Sequence, residues 1–322
     1  MSAGSSVRRD PTQKSNTELV SSLRGHFAAH SGANAVNGTT ANGNGNAVLK
    51  PIRANYRTWT HVADDGRREL EVPKLHFSSL QEEREAYDIT VKLFYLPGAP
   101  AENRDTQTRE AVKLVLKELD APSIDLLIIS FPGIYFDEEE DCPDKISTRG
   151  PVECDPEPLE TQLQAWRTLE ALQKDGVVKK LGIAEFGQDR LQSFLDQTKI
   201  KPSVDQINLR DCCSVPKSLL ALAKSQGIDL LVHNDTSNIL PRGTLRELLG
   251  PSEHGAGVLA EPTKTGEKRK SLHGEESQSA DSEAKGLKGE VQPLWVVKYT
   301  AVVKNRGVVE NKGYFAVAEL TE

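Results

Sequence analysis

Cys212 and Cys213, adjacent in the chain, are of a type that could sense redox state or crosslink to a partner. A thiol does this chemistry only as an accessible thiolate, however, and buried cysteine usually serves as small core filler. Neighbouring residues at a strand end also point opposite ways. The four cysteines, at 142, 154, 212 and 213, form neither a C-x-x-C pair nor zinc-ligand spacing. His233, Asn234 and Asp235 follow an apolar run, the place where a parallel strand presents functional groups. Asn-Asp there equally suits a cap on the following turn, which is the reading preferred. The acidic run from Asp137 to Asp141 reads as a solvated loop, because consecutive ligands converge on a metal only around a tight turn. The string KRKS at 268–271 has the form of a kinase or import signal, but such strings arise often by chance in polar tracts.

The elements that would position these residues alternate strand and helix. Ile89 to Leu93 reads as a strand, and Thr108 as the cap of a helix with Ala111, Val112, Val115, Leu116 and Leu119 on one face. Ile124 to Ile129 is apolar on both faces, as buried parallel strands are. Leu163, Trp166, Leu169 and Leu172 form the next helical stripe, closed by Gly176. Strand Leu181 to Phe186, helix Arg190 to Gln197 and strand Ser203 to Leu209 follow. Pro216 then starts a helix that Gly227 stops, before strand Ile228 to His233. Repeated βα units of this size require a parallel sheet, open or closed into a barrel.

Outside these units, residues 1–50 read as an N-terminal segment with a short helix on Leu19, Val20, Leu23 and Phe27 and a low-complexity tract at 31–46. The body at 51–322 carries two polar tracts, about 134–157 and 251–290, expected to be disordered insertions. A net charge of −7 argues against binding nucleic acid through phosphate contacts. No apolar run approaches the ~18 residues that span a bilayer, and no signal-peptide core is evident. Cytoplasm is the expected compartment.

The stretches IDLLIISFP at 124–132, WRTLEALQKDGVVKKLGIAEF at 166–186 and KPSVDQINL at 201–209 resemble, in order and spacing, the aldo-keto reductases. The resemblance implies a (β/α)8 TIM-type barrel, an α/β fold with a nicotinamide cofactor. It also supplies positions to compare. Lys92 falls on the family's catalytic lysine, whereas the histidine position holds Ser130. The upstream Asp and Tyr have no counterpart in 50–88, where Asp64 and Asp65 stand without a matching tyrosine and Tyr56 and Tyr87 are out of register. The Ser-Asn pair that holds the nicotinamide amide is replaced by Ala184 and Glu185, Gln206 is kept, and His233 stands for a stacking tyrosine. A carboxylate cannot donate to the amide oxygen, and losing one such buried partner costs about 1 to 3 kcal/mol. No cofactor is therefore expected, with NADP at most a vestigial ligand, and no catalytic residue or metal site is expected.

Two longer stretches, 203–241 and 293–320, resemble the regulatory (modifier) subunit family of glutamate-cysteine ligase, through Cys212-Cys213, His233-Asn234-Asp235 and the terminal KYTAVVKNRGVVENKGY. This resemblance implies a chain without its own reaction. It would pair as a heterodimer with the catalytic subunit of that ATP-dependent ligase, improving glutamate use and relieving glutathione feedback in the first step of glutathione synthesis. The alternative is a diverged NADPH-dependent reductase, kept in view by Lys92 and Gln206.

Overall fold

The computed structural model describes residues 1–5, 14–32, 39–41, 47–49, 54–63, 68–136, 154–209, 214–236, 238–252, 254–261 and 286–321. In chain order it opens with strand β1 (Ser2–Ser5), helix α1 (Ser15–Ser31) and two small antiparallel pairs. These are β2 (Thr39–Ala41) with β3 (Ala47–Leu49), and β4 (His61–Val62) with β5 (Leu70–Glu71). The central units are β6 (Tyr87–Tyr95), α2 (Arg104–Leu119), β7 (Ile124–Ser130), α3 (Leu159–Lys174) and β8 (Val178–Ala184). They continue through α4 (Gln188–Leu195), β9 (Val204–Ile207), α5 (Lys217–Gln226) and β10 (Asp229–Val232). Helix α6 (Thr244–Leu249) precedes the long antiparallel strands β11 (Glu290–Val303) and β12 (Val308–Thr321).

One eight-stranded sheet gathers them in the order β1-β12-β11-β6-β7-β8-β9-β10. Strands β6 to β10 are parallel neighbours joined by α2 to α5, as the alternating pattern requires. Strands β11, β12 and β1 run antiparallel to their neighbours, so three members of the sheet arise from a hairpin and the chain's first strand rather than from βα units. Among the described residues no ladder joins β10 back to β1.

Strand side chains alternate between faces, and this builds two cores. Ile89, Val91, Leu93 and Tyr95 of β6 join Trp295, Val297 and Tyr299 of β11 in packing against α2 to α5. On the opposite face Phe94, Val296, Tyr314 and Ala316 meet Leu19, Leu23 and Phe27 of α1, with Leu245 and Leu248 of α6. The apolar stripe expected near the N-terminus thus forms a helix that covers the second face of the sheet. Gly313 permits the close fit of β12 there, since a Cβ at that position would lie 2.5 Å from the Tyr299 hydroxyl and 3.0 Å from the Gly4 carbonyl.

Several local expectations need correction. Thr108 does not cap α2: the helix begins at Arg104, and the Thr108 hydroxyl donates back to the Arg104 carbonyl while bonding the Tyr95 hydroxyl at 2.6 Å. Helix α3 ends before Gly176 and α5 at Gly227, both glycines taking left-handed backbone as expected of a C-terminal cap. The polar tracts are narrower than their composition suggests. Ile134, Phe136 and Glu157 are buried, and so are Ala256, Val258 and Leu259, while Leu287 pairs with Leu259 across the second tract. The stretches 137–153 and 262–285 lie outside the described residues.

Candidate functional site

The two strand lysines meet because β6 and β11 are in register at Lys92 and Lys298. Both turn toward the α1 face, since their neighbours Leu93 and Val297 belong to the helical core. A charge on that face needs a buried counter-charge, and Asp235, just past β10, supplies it. Lys92 Nζ lies 3.1 Å from Asp235 Oδ2 and Lys298 Nζ 2.9 Å from Oδ1. Lys92 also donates to Gln206 Oε1 of β9 at 3.0 Å. The first residue of α1 completes the cluster, with Ser15 donating to Asp235 Oδ1 and accepting from Lys298 Nζ at 3.0 Å. Burial alone would raise the Asp235 carboxyl, but Lys92, Lys298, His233 and the Ser15 hydroxyl together hold it well below the usual carboxylate range.

A second acidic group closes the strand ends. Glu185 takes a left-handed backbone, φ 68°, that costs a non-glycine residue about 1 to 2 kcal/mol. This is offset locally: its N–H donates to the Gln206 carbonyl at 2.7 Å, and its carboxylate Oε2 accepts the Phe136 N–H at 2.9 Å. Oε1 lies 2.6 Å from His233 Nε2. On the other side of the ring, the Asp235 N–H donates to His233 Nδ1 at 3.1 Å. The side chain of Asp235 therefore holds lysines rather than capping the turn, and its carbonyl is anchored by Asn208 Nδ2 at 3.0 Å.

The residues singled out in the sequence fall on these strand ends. Ala184 ends β8 opposite Gln206, and Ser130 ends β7 opposite Phe94, both buried. Lys92, Glu185, Gln206 and His233 come together as one group around Asp235. Cys212 and Cys213, like Cys142, Asp64, Asp65, the acidic run at 137–141 and the KRKS string, lie outside the described residues. Sequence reasoning missed Ser15 and Lys298. For Lys298 a signal exists, since one charge inside PLWVVKYTAVV implies a buried partner.

Among the described residues Lys92 Nζ donates to Asp235 and Gln206, and no hydrogen bond joins it to a tyrosine. Tyr314, on the same face of the sheet, donates to Glu18 Oε2 at 2.8 Å. Burial and the Glu18 carboxylate push its phenol above the ordinary range. Tyr87 is likewise tied to Glu310, at 2.8 Å, and raised by burial and that contact. Such phenols are locked as donors to carboxylates and poorly placed to give a proton to a carbonyl. The nicotinamide that the resemblance implies does not fit these residues. Its amide oxygen would meet the Glu185 carboxylate, which already spans Phe136 and His233, and Ala184 offers no side-chain donor.

Among the described residues no helix is long and apolar enough to cross a membrane, and no group of three or more His, Cys, Asp or Glu could hold a metal. The chain is 27% identical over 238 residues to the glutamate–cysteine ligase regulatory subunits of Rattus norvegicus and Homo sapiens, covering 74% of this chain and 68% of each relative. It is 25% identical over 249 residues to a putative glutamate–cysteine ligase regulatory subunit of Schizosaccharomyces pombe, covering 76% of this chain and 75% of the relative. A solved aldose reductase from Schistosoma japonicum shares 25% identity at a TM-score of 0.34, and the match covers 46% of either chain. The model of the aldo/keto reductase family matches residues 71–247, the span that carries β6 to β10 and Asp235, and the chain belongs to that family.

Proposed function

We propose that this chain is a non-catalytic regulatory subunit that binds the catalytic subunit of glutamate-cysteine ligase as a heterodimer, improves its use of glutamate and relieves feedback by glutathione. Its similarity over about three quarters of its length to proteins named as that regulatory subunit supports the assignment. The observation that supports it most is the buried Glu185 carboxylate, which accepts the Phe136 N–H at 2.9 Å and lies 2.6 Å from His233 Nε2, at the position to which the family resemblance assigns a hydrogen-bond donor for the nicotinamide. A regulatory subunit acts only through a difference in its affinity for two states of its partner. A tenfold change in apparent glutamate affinity requires ~1.4 kcal/mol of that difference.

The test mixes the purified chain with a matching catalytic subunit and follows ATP-dependent γ-glutamylcysteine formation against glutamate, with and without glutathione. The expected result is co-elution, a lower glutamate requirement and weaker glutathione inhibition. Unchanged kinetics together with separate elution would reject the assignment. In parallel, NADPH fluorescence is expected to show no saturable binding, whereas a saturable titration would favour a reductase.

A further inference from the structure

The sheet has two ends, and they are finished differently. At one end β1 is short and polar, contains Gly4 in a left-handed conformation and breaks register with β12 between Ser2 and Ser5. Such features blunt an edge against further pairing. At the other end β10, Asp-Leu-Leu-Val, keeps continuous register with β9 and has neither lysine, proline nor bulge. Leu231 is 41% exposed and Val232 64%, and Leu220 on α5, the helix leading into β10, is also exposed.

The hydrogen bonds of β10 have a parity that identifies its open side. Asp229 N–H donates to the Ser203 carbonyl and His233 N–H to the Ile207 carbonyl, both on the β9 side. In a parallel strand alternate residues bond to the same neighbour, so Asp229, Leu231 and His233 serve β9. Leu230 and Val232 direct their N–H and C=O groups outward. Among the described residues no strand receives them. The longest stretch outside those residues, 262–285, has Leu272 as its single large aliphatic and does not read as a strand that could.

We infer that the outer edge of β10 is a docking site for an extended apolar segment of the partner subunit, which adds as a further strand by pairing with Leu230 and Val232 and packing on Leu231 and Val232. This rests on the functional reading above for the partner's identity. A regulatory chain must hold another polypeptide, and among the described residues this edge offers outward strand-pairing groups and exposed aliphatics, with Asp229 at the strand's start as its single charge.

The experiment measures binding of the full chain to the catalytic subunit by calorimetry and analytical ultracentrifugation. Val232→Pro removes an outward N–H without touching the bonds to β9, and proline is tolerated on such an edge. The expected result is at least a tenfold loss of affinity with unchanged circular dichroism, while Val308→Lys, at an exposed position of β12, binds as wild type. Should Val232→Pro fail to fold, Leu231→Lys decides, with the same loss expected from a charge placed on the edge. Wild-type affinity in every variant overturns the edge while leaving the regulatory role standing. A wild-type chain that does not bind the catalytic subunit rejects the regulatory role, and the edge proposal with it. A wild-type homodimer that Val232→Pro dissociates would make a second copy the occupant and overturn the proposal too.

Discussion

Asp235 is one negative charge between two lysines, and its contacts to Ser15, Lys92 and Lys298 span 220, 143 and 63 residues of sequence. Replacing it with asparagine keeps its shape and leaves Lys92 and Lys298 facing each other without a counter-charge. Breaking a buried pair in this way costs about 3 to 5 kcal/mol, so Asp235→Asn should move the urea midpoint well below wild type. The pH dependence has a definite sign. A carboxyl held low in the folded state stabilises above its unfolded value, about 3.9, and that stabilisation is lost as pH falls through the folded value. Wild type should therefore lose stability steeply below about pH 4, and the asparagine variant should have a shallower acid limb in the same titration. Ser15→Ala removes two hydrogen bonds, one to Asp235 and one from Lys298, and should cost about 1 to 3 kcal/mol. This site was half legible. Lys92, Glu185, Gln206 and His233 could be singled out because the aldo-keto reductase resemblance assigns a position to each. Asp235 could not be separated from a turn cap, because the lysines that define it lie 143 and 63 residues away in sequence.

At the scale of elements, α1 is a wall of the site as well as a cover for the sheet. Its buried Leu23 sits in the second core beside Phe94 and Tyr314, and Glu18 ties the same helix to Lys312 and Tyr314 of β12. Leu23→Ala should cost about 2 to 5 kcal/mol and raise amide exchange along 15–31 ahead of the parallel strands. Gly313→Ala tests the other side of this packing. The added methyl must displace the Tyr299 hydroxyl or the β1 backbone, so a loss of about 1 to 3 kcal/mol is expected from thermal unfolding. The helices α2 and α3 were legible from their apolar periodicity, and the ends of α3 and α5 from Gly176 and Gly227. The β11–β12 hairpin was not: burial in β11 alternates from Lys298 to Val303, but Trp295, Val296 and Val297 are buried in succession and Pro293 interrupts the run, so the mark of a half-exposed strand covers only its second half.

For the whole molecule, the folded limits of the second polar tract set what can be removed. Ala260 N–H donates to the Leu287 carbonyl and Leu287 N–H to the Val258 carbonyl, so the two flanks already lie side by side. Replacing 262–285 by a short Gly-Ser linker should leave the melting temperature within a few degrees, since shortening a closed loop changes its entropy only slowly. Extending the deletion to Val258 and Leu259 should destabilise the chain by several kcal/mol through lost core packing, as read by the same melt. The neighbour relation between β1 and β12, where Ser2 stands opposite Phe315, has a further consequence for synthesis. Contacts of such sequence separation form late, because their loop must close before they stabilise anything. During synthesis, Leu19, Leu23 and Phe27 emerge more than 260 residues ahead of Val296, Tyr314 and Ala316, with which they pack. Until β11 and β12 are made, the nascent chain carries an oily stripe that lacks their cover, which makes it a natural client for chaperones.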